Sequence, residues 1–416
     1  MLRSMPTAPR THPGLAGGPV YLDYNATTPV DPAVVDAMLP WLTTGFGNPS
    51  SSHAYGGPAQ AAVERARRQV AALVGVPPGG RIAFTGSGSE ADALAIGGAV
   101  LADPAGRRHV ITQSTEHPAV LAACSSLSEL HGVAATVLPV DGNGLVHPDQ
   151  VAAAITAETV LVSIMHANNE TGVRQPIPEI ARLARARGVL LHCDAAQSVG
   201  KVDIDVTSLG VDLLTIVGHK MYAPKGVAAL YVAAGVPLRP VVGGGGQEGG
   251  LRAGTENVSH IVGLGRAAEL VAAALATGEP ARLGELRDEL VRRLRAALPD
   301  RVRVNGEDAP RLPSTLSVRI AGIDARRLLD RLPGVAASAG SACHAGVGTP
   351  SPVLTAMGLP AAQALTTIRL SVGRWTTPKE IELAAALIAA AAGSPADRRA
   401  DQLGESAPES SDLPPS

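Results

Sequence analysis

Lysine is scarce in this chain, and one of its few lysines stands where an amine could do chemistry. Of 35 basic residues, only four are lysines: Lys201, Lys220, Lys225 and Lys379. Lys220 follows His219 at the end of an apolar run. An amine can form an imine with an aldehyde, which a guanidinium does not do usefully. Lys220 is therefore a candidate covalent catalyst, with a compositional accident as the alternative.

A carboxylate occupies a comparable position 26 residues earlier. Asp194 also follows an apolar run, within the sequence HCDAAQ at 192–197. Because open parallel sheets collect ligand-binding groups at the carboxyl ends of their strands, we expect Asp194 and Lys220 at one edge of a sheet. A carboxylate that faces a heteroaromatic nitrogen keeps it protonated and makes the ring an electron sink. An isolated aspartate is more often a helix cap or a surface charge.

A turn of small residues, TGSGSE at 85–90, lies between an apolar run and an amphipathic stretch. Here the backbone can approach an anion, and the start of a helix offers free N–H groups and the positive end of its dipole. The spacings of a Walker loop and of the dinucleotide fingerprint are both absent. A capped helix after an ordinary turn has a similar pattern, and the glycines at 243–246 are more typical of a hinge.

The segment 338–346, SAGSACHAG, predicts an exposed loop that carries a thiol. Such a loop can deliver a catalytic cysteine, and His344 beside Cys343 could change the pKa of that thiol. Zinc is disfavoured because no paired cysteines or histidines complete four ligands, and no other metal is expected. Cys124 and Cys193 fall within a predicted helix and beside a predicted strand, where they are expected to fill the core.

Short β-branched runs alternate with amphipathic stretches from residue 21 to residue 232. The strand candidates are residues 82–85, 109–112, 136–140, 160–165, 189–192, 213–217 and 227–232. The helix candidates are residues 59–74, 90–101, 119–131, 148–155 and 177–187. This alternation predicts an α/β fold whose largely parallel sheet is covered by helices on both faces.

A second, smaller α/β domain is predicted after the glycines at 243–250. Helical periodicity runs over 261–298, a strand candidate follows at 314–320, and two helix candidates lie near 324–332 and at 378–392. The predicted division is a disordered lead-in at 1–18, a large domain at 19–260, a small domain at 261–393 and a disordered tail at 394–416.

Composition excludes several classes of function. The formal net charge of −2 gives no electrostatic reason to expect nucleic acid or an anionic membrane as a partner. The apolar run at 383–392 is shorter than the roughly 20 residues that cross a bilayer. Three cysteines are too few for a disulfide framework and fit a reducing compartment, so we expect a cytoplasmic protein.

Several motifs occur in an order that resembles one family. They are YLDYNATTP (21–29), GNPSS (47–51), TEH (115–117), NNETG (168–172), DAAQS (194–198), GHK (218–220), RAGTEN (252–257) and RLSVGR (369–374). The chain resembles the class V aminotransferase-like pyridoxal-phosphate (PLP) enzymes, specifically cysteine desulfurases of the nitrogenase and iron–sulfur type and their relative selenocysteine lyase. This resemblance implies fold type I, with a mainly parallel seven-stranded sheet in the large domain, and PLP as cofactor.

The resemblance also implies residue roles and partners. Lys220 would bind PLP covalently and move the substrate's α-proton, His117 would stack on the ring, and Cys343 would accept sulfur as a persulfide. Further residues would hold the cofactor or the substrate: Gly88, Ser89 and His219 at the phosphate with Thr255 of a second subunit, Asp194 at the ring nitrogen, Gln197 at the phenolic oxygen, and Asn25, Asn169 and Arg369 around the substrate. The expected partners are L-cysteine or L-selenocysteine, a sulfur-acceptor protein and a second copy of the chain.

One position departs from the family pattern. Many desulfurases carry a phosphate-binding serine two residues before the histidine of the lysine motif, where this chain has Val217. Val217 and the sequence PSPVL at 350–354 are similar to selenocysteine lyases, so selenocysteine lyase is the main alternative to a cysteine desulfurase. Other class V reactions need no loop thiol, and a non-catalytic scaffold that binds a sulfur acceptor would not need to keep Lys220 and Cys343.

Overall fold

The computed structural model describes residues 11–340 and 349–393. The strands are β1 (Val20–Tyr21), β2 (Arg81–Thr85), β3 (His109–Gln113), β4 (Ala134–Leu138), β5 (Thr159–Ser163), β6 (Leu190–Asp194), β7 (Leu213–Val217), β8 (Ala228–Val232), β9 (Val302–Val304), β10 (Thr315–Ile320), β11 (Val335–Ala336) and β12 (Thr367–Ser371). The helices are α1 (Pro32–Thr43), α2 (Gly56–Leu73), α3 (Gly88–Ala102), α4 (Pro118–His131), α5 (Pro148–Ala154), α6 (Ile177–Arg185), α7 (Val206–Leu209), α8 (Val258–Ala276), α9 (Glu279–Ala297), α10 (Ala325–Asp330), α11 (Pro352–Ala356), α12 (Ala361–Ala364) and α13 (Pro378–Ala392).

A seven-stranded sheet in the order β2-β8-β7-β6-β5-β3-β4 forms the centre of the large part of the chain. Only β8 runs antiparallel to its neighbours in this sheet. Strands β3, β5, β7 and β8 are buried along their whole length, which explains their nearly continuous apolar sequences. The predicted α/β fold with a mainly parallel sheet is confirmed. Its strand directions bring the carboxyl ends of β2, β5, β6 and β7 to one edge.

Two hydrophobic cores divide the molecule. Helices α1, α2, α6 and α8 cover one face of the large sheet, and α3 and α4 cover the other. The second core packs α9, α10 and α13 on the three-stranded sheet β12-β10-β9, and it also takes in Val20 and Leu22. Core membership therefore differs from the sequence division at residue 260, because α8 packs with the large sheet and β1 pairs with β11.

Two local predictions need correction. The stretch 261–298 is two helices, since Gly278 adopts a left-handed φ of 88° between α8 and α9. Residues 11–18 are not a disordered lead-in: His12 Nε2 is 2.9 Å from Val30 O, and its ring packs 4.7 Å from that of Trp375. Helix α8 has the length and apolarity of a membrane span, yet half of it is buried inside the fold.

The outer edge of β2 is covered by a side chain. The carboxylate of Glu248 accepts a hydrogen bond from Phe84 N at 2.9 Å and pairs with Arg67 at 2.6 Å. Arg67 Nη1 in turn donates to Ile82 O at 2.8 Å. The backbone of Glu248 has a φ of 51°, in the left-handed region that few residues other than glycine adopt. The bonds of its carboxylate to Phe84 N and Arg67 fix the glycine-rich segment against the sheet.

Candidate active site

A cavity of about 580 Å³ opens at the edge where these strands end. Ten of the residues selected from the sequence line it: Asn25, Gly88, Ser89, His117, Asn169, Asp194, Gln197, His219, Lys220 and Arg369. Thr255 is exposed and lies outside this lining. Cys343 lies outside the described residues. The structure thus brings together groups that are up to 344 positions apart in the chain.

Lys220 ends a short 3-10 turn directly after β7. This turn is tight, because a Cβ on Gly218 would lie 2.8 Å from Val227 O. Lys220 Nζ donates to the backbone oxygens of Asn25 and Ala26, at 2.6 and 2.8 Å. The amine is therefore held at the carboxyl edge of the sheet, inside the cavity lining, as predicted.

The start of α3 is the turn where the sequence predicts an anion site. Ser87 caps this helix by accepting a hydrogen bond from Glu90 N at 3.1 Å. The N–H groups of Gly88 and Ser89 lie in the same first turn, where no carbonyl of the helix can accept from them. Glu90 also accepts from Gly86 N at 2.8 Å and from Arg252 Nε at 2.8 Å. Gly88 must be small here, because its Cβ would lie 2.6 Å from Val217 Cγ2.

Asp194 is buried at the end of β6, where its Oδ1 accepts from Ala196 N at 2.8 Å. Burial raises the pKa of this carboxyl, and the hydrogen bond from Ala196 and the positive fields of His117 and Lys220 partly offset that effect. His117 caps α4, with Ala119 N donating to its Nδ1 at 3.2 Å. Neutral His117 therefore carries its proton on Nε2. Burial lowers its pKa, which favours that neutral form.

Two further acids beneath the cavity received no role from the sequence. Glu116 accepts from Met165 N at 2.7 Å and from Gln113 Nε2 at 2.9 Å, and burial raises its pKa to about 8. Burial and the charge of Asp194 also raise the pKa of Asp92 well above its ordinary value. Asp92 lies on a helix that is nearly all apolar, and this is the one sequence signal that could have pointed to it.

Arg369 is fixed by three acceptors on different segments. It pairs with Asp23 Oδ1 at 2.7 Å and donates to Asn169 O and Ser338 Oγ, each at 3.2 Å. Asn25 Nδ2 donates to the same oxygen of Asn169, at 3.1 Å. The guanidinium is thus buried yet lines the cavity, which suits it to hold a carboxylate.

The described residues that flank 341–348 converge on one acid. Ser351 Oγ donates to Glu170 Oε2 at 2.6 Å and also caps α11. A Cβ on Gly340 would lie 3.7 Å from the same carboxylate oxygen. Glu170 lines the cavity and follows Asn169, so Gly340 and Ser351 both lie beside the cavity wall.

The cavity fits pyridoxal phosphate. Gly88 and Ser89 would hold its phosphate, Lys220 would carry it covalently and Asp194 would face its ring nitrogen. Polar atoms of the lining support this fit, because Asp92 Oδ1 and Ser114 Oγ are buried without a hydrogen-bond partner among the described residues. When bound, this cofactor supplies an electron sink. Within the same residues no group of three or more His, Cys, Asp or Glu side chains could hold a metal ion.

Fold and site together define a PLP-dependent enzyme, and comparisons with known proteins agree. The family model of the class-V aminotransferases matches residues 20–383. A cysteine desulfurase of Trichormus azollae is 48% identical over 365 residues, which are 87% of this chain and 90% of that protein. A solved NifS-like protein has a TM-score of 0.81 at 34% identity, with 89% of this chain and 98% of that one covered. The solved complex of SspA with cysteine has a TM-score of 0.73 at 38% identity, with 86% and 99% covered.

The chain belongs to the class-V aminotransferase family and, within it, to the PLP-dependent cysteine desulfurases. This confirms the family, the fold, the cofactor and the class of enzyme expected from the motifs. The relatives that these comparisons found do not favour a selenocysteine lyase or a scaffold without activity.

Proposed function

We propose that this enzyme converts L-cysteine to L-alanine and accepts the sulfur on Cys343. The carbon–sulfur bond of the substrate breaks, its carbon takes a proton, and the Cys343 thiolate gains the sulfur as a persulfide. The observation that carries this proposal is that Lys220, Asp194 and Arg369 line one cavity. Such a cavity can hold the amine of an amino acid at the cofactor and its carboxylate at the guanidinium.

The roles of the other residues are part of the same proposal. His117 covers the ring and takes part in proton transfer, and its lowered pKa favours the neutral imidazole, whose proton lies on Nε2 because Nδ1 accepts from Ala119 N. Gln197 faces the phenolic oxygen and His219 helps to hold the phosphate. Asn25 and Asn169 bracket the substrate beside Arg369, with which Asn169 shares a hydrogen bond.

Two variants test the central roles. Cys343→Ala should retain the visible absorbance of bound PLP and lose persulfide formation, whereas Cys124→Ala should retain both because Cys124 is buried in the core. Lys220→Ala should lose the absorbance of the covalently bound cofactor. Full sulfide release by Cys343→Ala, or an unchanged absorbance band in Lys220→Ala, would refute these roles.

Cysteine is the proposed substrate, and an acceptor protein is the proposed destination of the sulfur. Val217, Pro352 and Val353 line the cavity. Because these positions are similar to selenocysteine lyases, L-selenocysteine must be tested as a substrate beside L-cysteine. Turnover of L-cysteine and L-selenocysteine by the same preparation decides between them, and a strong preference for selenocysteine would overturn the proposal. We further propose that the reaction takes place in the cytoplasm, which fractionation of cells that express the chain would test.

A homodimer is proposed because Thr255 lies outside the cavity of its own chain and an apolar surface is exposed. That surface comprises Val35, Leu39 and Leu42 on α1 together with Phe46 and Tyr55, whose rings are 5.1 Å apart. Burial of such a surface stabilises association. Leu39→Glu should yield monomers in sedimentation velocity, with Leu383→Glu as the matched exposed control. A dimer that persists in Leu39→Glu would remove this surface from the interface.

A further inference from the structure

A second lysine is buried behind the cavity. Lys201 is 7% exposed, and its Nζ donates to Gln197 Oε1 at 2.8 Å and to Asn25 Oδ1 at 3.0 Å. Burial lowers its pKa well below the ordinary value, and the charges of Lys220 and Arg369 lower it further. A buried amine costs free energy that an apolar side chain of similar length would not. Its two partners both line the cavity, so the function of Lys201 is expected there.

These hydrogen bonds determine which way the Gln197 amide points. A glutamine amide has an acceptor end and a donor end that exchange on rotation by half a turn. Because Lys201 donates to Oε1, the Nε2 end must point away from Lys201. Nε2 donates to Asn25 O at 3.1 Å, on the side of Gln197 where Lys220 Nζ also reaches Asn25 O.

We propose that Lys201 is a positioning residue that holds the Gln197 amide with its donor end toward the phenolic oxygen of the cofactor. Without Lys201 only the hydrogen bond from Nε2 to Asn25 O opposes rotation of the amide, and a rotated amide would turn its oxygen toward that position, where two acceptors would repel each other. The inference depends on the role given to Gln197 in the proposed function, and it adds that the role requires a lysine four residues further along the chain.

The test measures the bound cofactor in the absence of substrate. In Lys201→Met, Gln197→Ala and the double variant, visible absorbance is titrated against pH, and the dissociation constant of PLP is measured in parallel. Loss of a donor beside the phenolic oxygen leaves more negative charge there, so the neighbouring nitrogen holds its proton to higher pH. A lost hydrogen bond of this kind should raise the titration midpoint by about 0.5 to 1 pH unit. Lys379→Met, at an exposed lysine, is the control.

The expected result is the same upward shift in each single variant and no further shift in the double variant. If Gln197→Ala moves the midpoint but Lys201→Met does not, or if the two shifts add, the inference is overturned while Gln197 keeps its role. If Gln197→Ala leaves the midpoint unchanged, the role of Gln197 and the inference both fail. Should Lys201→Met not fold, Lys201→Gln, which retains an N–H donor, must keep its midpoint close to that of the parent. A full shift in that variant would also overturn the inference.

Discussion

The close approach of Gly88 and Val217 predicts how the proposed phosphate site at the start of α3 responds to one added methyl group. Gly88→Ala places a Cβ 2.6 Å from Val217 Cγ2, whereas ordinary contacts begin at 3.4 Å. The first turn of α3 must therefore shift by nearly 1 Å. In the protein without cofactor this turn can move away, and alanine even favours the helix by up to about 1 kcal/mol. With the phosphate bound, the same turn must return to the proposed phosphate site and meet Val217.

The cost should therefore appear in cofactor affinity rather than in the stability of the apoprotein. Overpacking of this kind costs about 1–3 kcal/mol, which corresponds to a PLP dissociation constant raised about 5- to 150-fold. The assay is an equilibrium titration of apoprotein with PLP, followed by visible absorbance. Gly57→Ala is the matched control, because Gly57 also lies in the first turn of a helix and its Cβ would meet nothing within 4 Å.

A second substitution separates this steric cause from any other. Val217→Ala removes Cγ2, so the double variant Gly88→Ala, Val217→Ala should recover most of the lost affinity. The reasoning is refuted if Gly88→Ala binds PLP as tightly as the parent, or if the double variant binds no better than Gly88→Ala alone.

Three further predictions concern the same cavity. Val217→Ser adds a hydroxyl beside the proposed phosphate site, where a hydrogen bond to a charged group contributes about 1.5–3 kcal/mol. The loss of apolar packing offsets part of this gain, so the PLP dissociation constant should fall roughly three- to tenfold. A weaker complex would contradict this prediction. Arg369→Lys should raise KM for cysteine about tenfold or more at constant PLP affinity, because an ammonium cannot form the two parallel hydrogen bonds of a guanidinium. An unchanged KM would exclude Arg369 from substrate binding. Glu116 has a pKa of about 8 in the folded chain against 4.5 in the unfolded chain, so its contribution to stability is complete below pH 4.5 and is lost as the pH rises through 8. The free energy of unfolding of the apoprotein, measured in urea, should therefore fall less steeply between these pH values in Glu116→Gln than in the parent. Equal slopes would count against the raised pKa.

The elements that position the site could be predicted because burial determines them. Strand β7 has the predicted bounds, since a run of apolar residues buried on both faces leaves little choice of limits. The same strands place Asp194 and Lys220 at one edge, as expected from chain order alone. Helix α1 was not predicted, because its exposed face carries Val35 and Leu39 and so hides the helical period of its buried residues.

The residues that orient the cavity lining could not be predicted from the sequence. Lys201 is buried because an amide oxygen 176 residues away accepts its hydrogen bond, and no local pattern encodes that partner. The orientation of Gln197 depends on it in turn. The residues proposed to touch the cofactor, such as Asp194 and Lys220, were selected from motifs at strand ends, whereas those that orient them depend on tertiary packing.

The contact that covers the outer edge of β2 bears on how this chain avoids self-association through its sheet. A free strand edge exposes N–H and C=O groups in a row, which a strand of another chain can pair with. Glu248 satisfies Phe84 N and Arg67 satisfies Ile82 O, so both kinds of group on this edge are already bonded to side chains. The side chain of Glu248 is only 2% exposed, which shields that ion pair from salt and water. The glycine-rich segment that carries Glu248 thus also blocks the pairing of a foreign strand with this edge of the sheet.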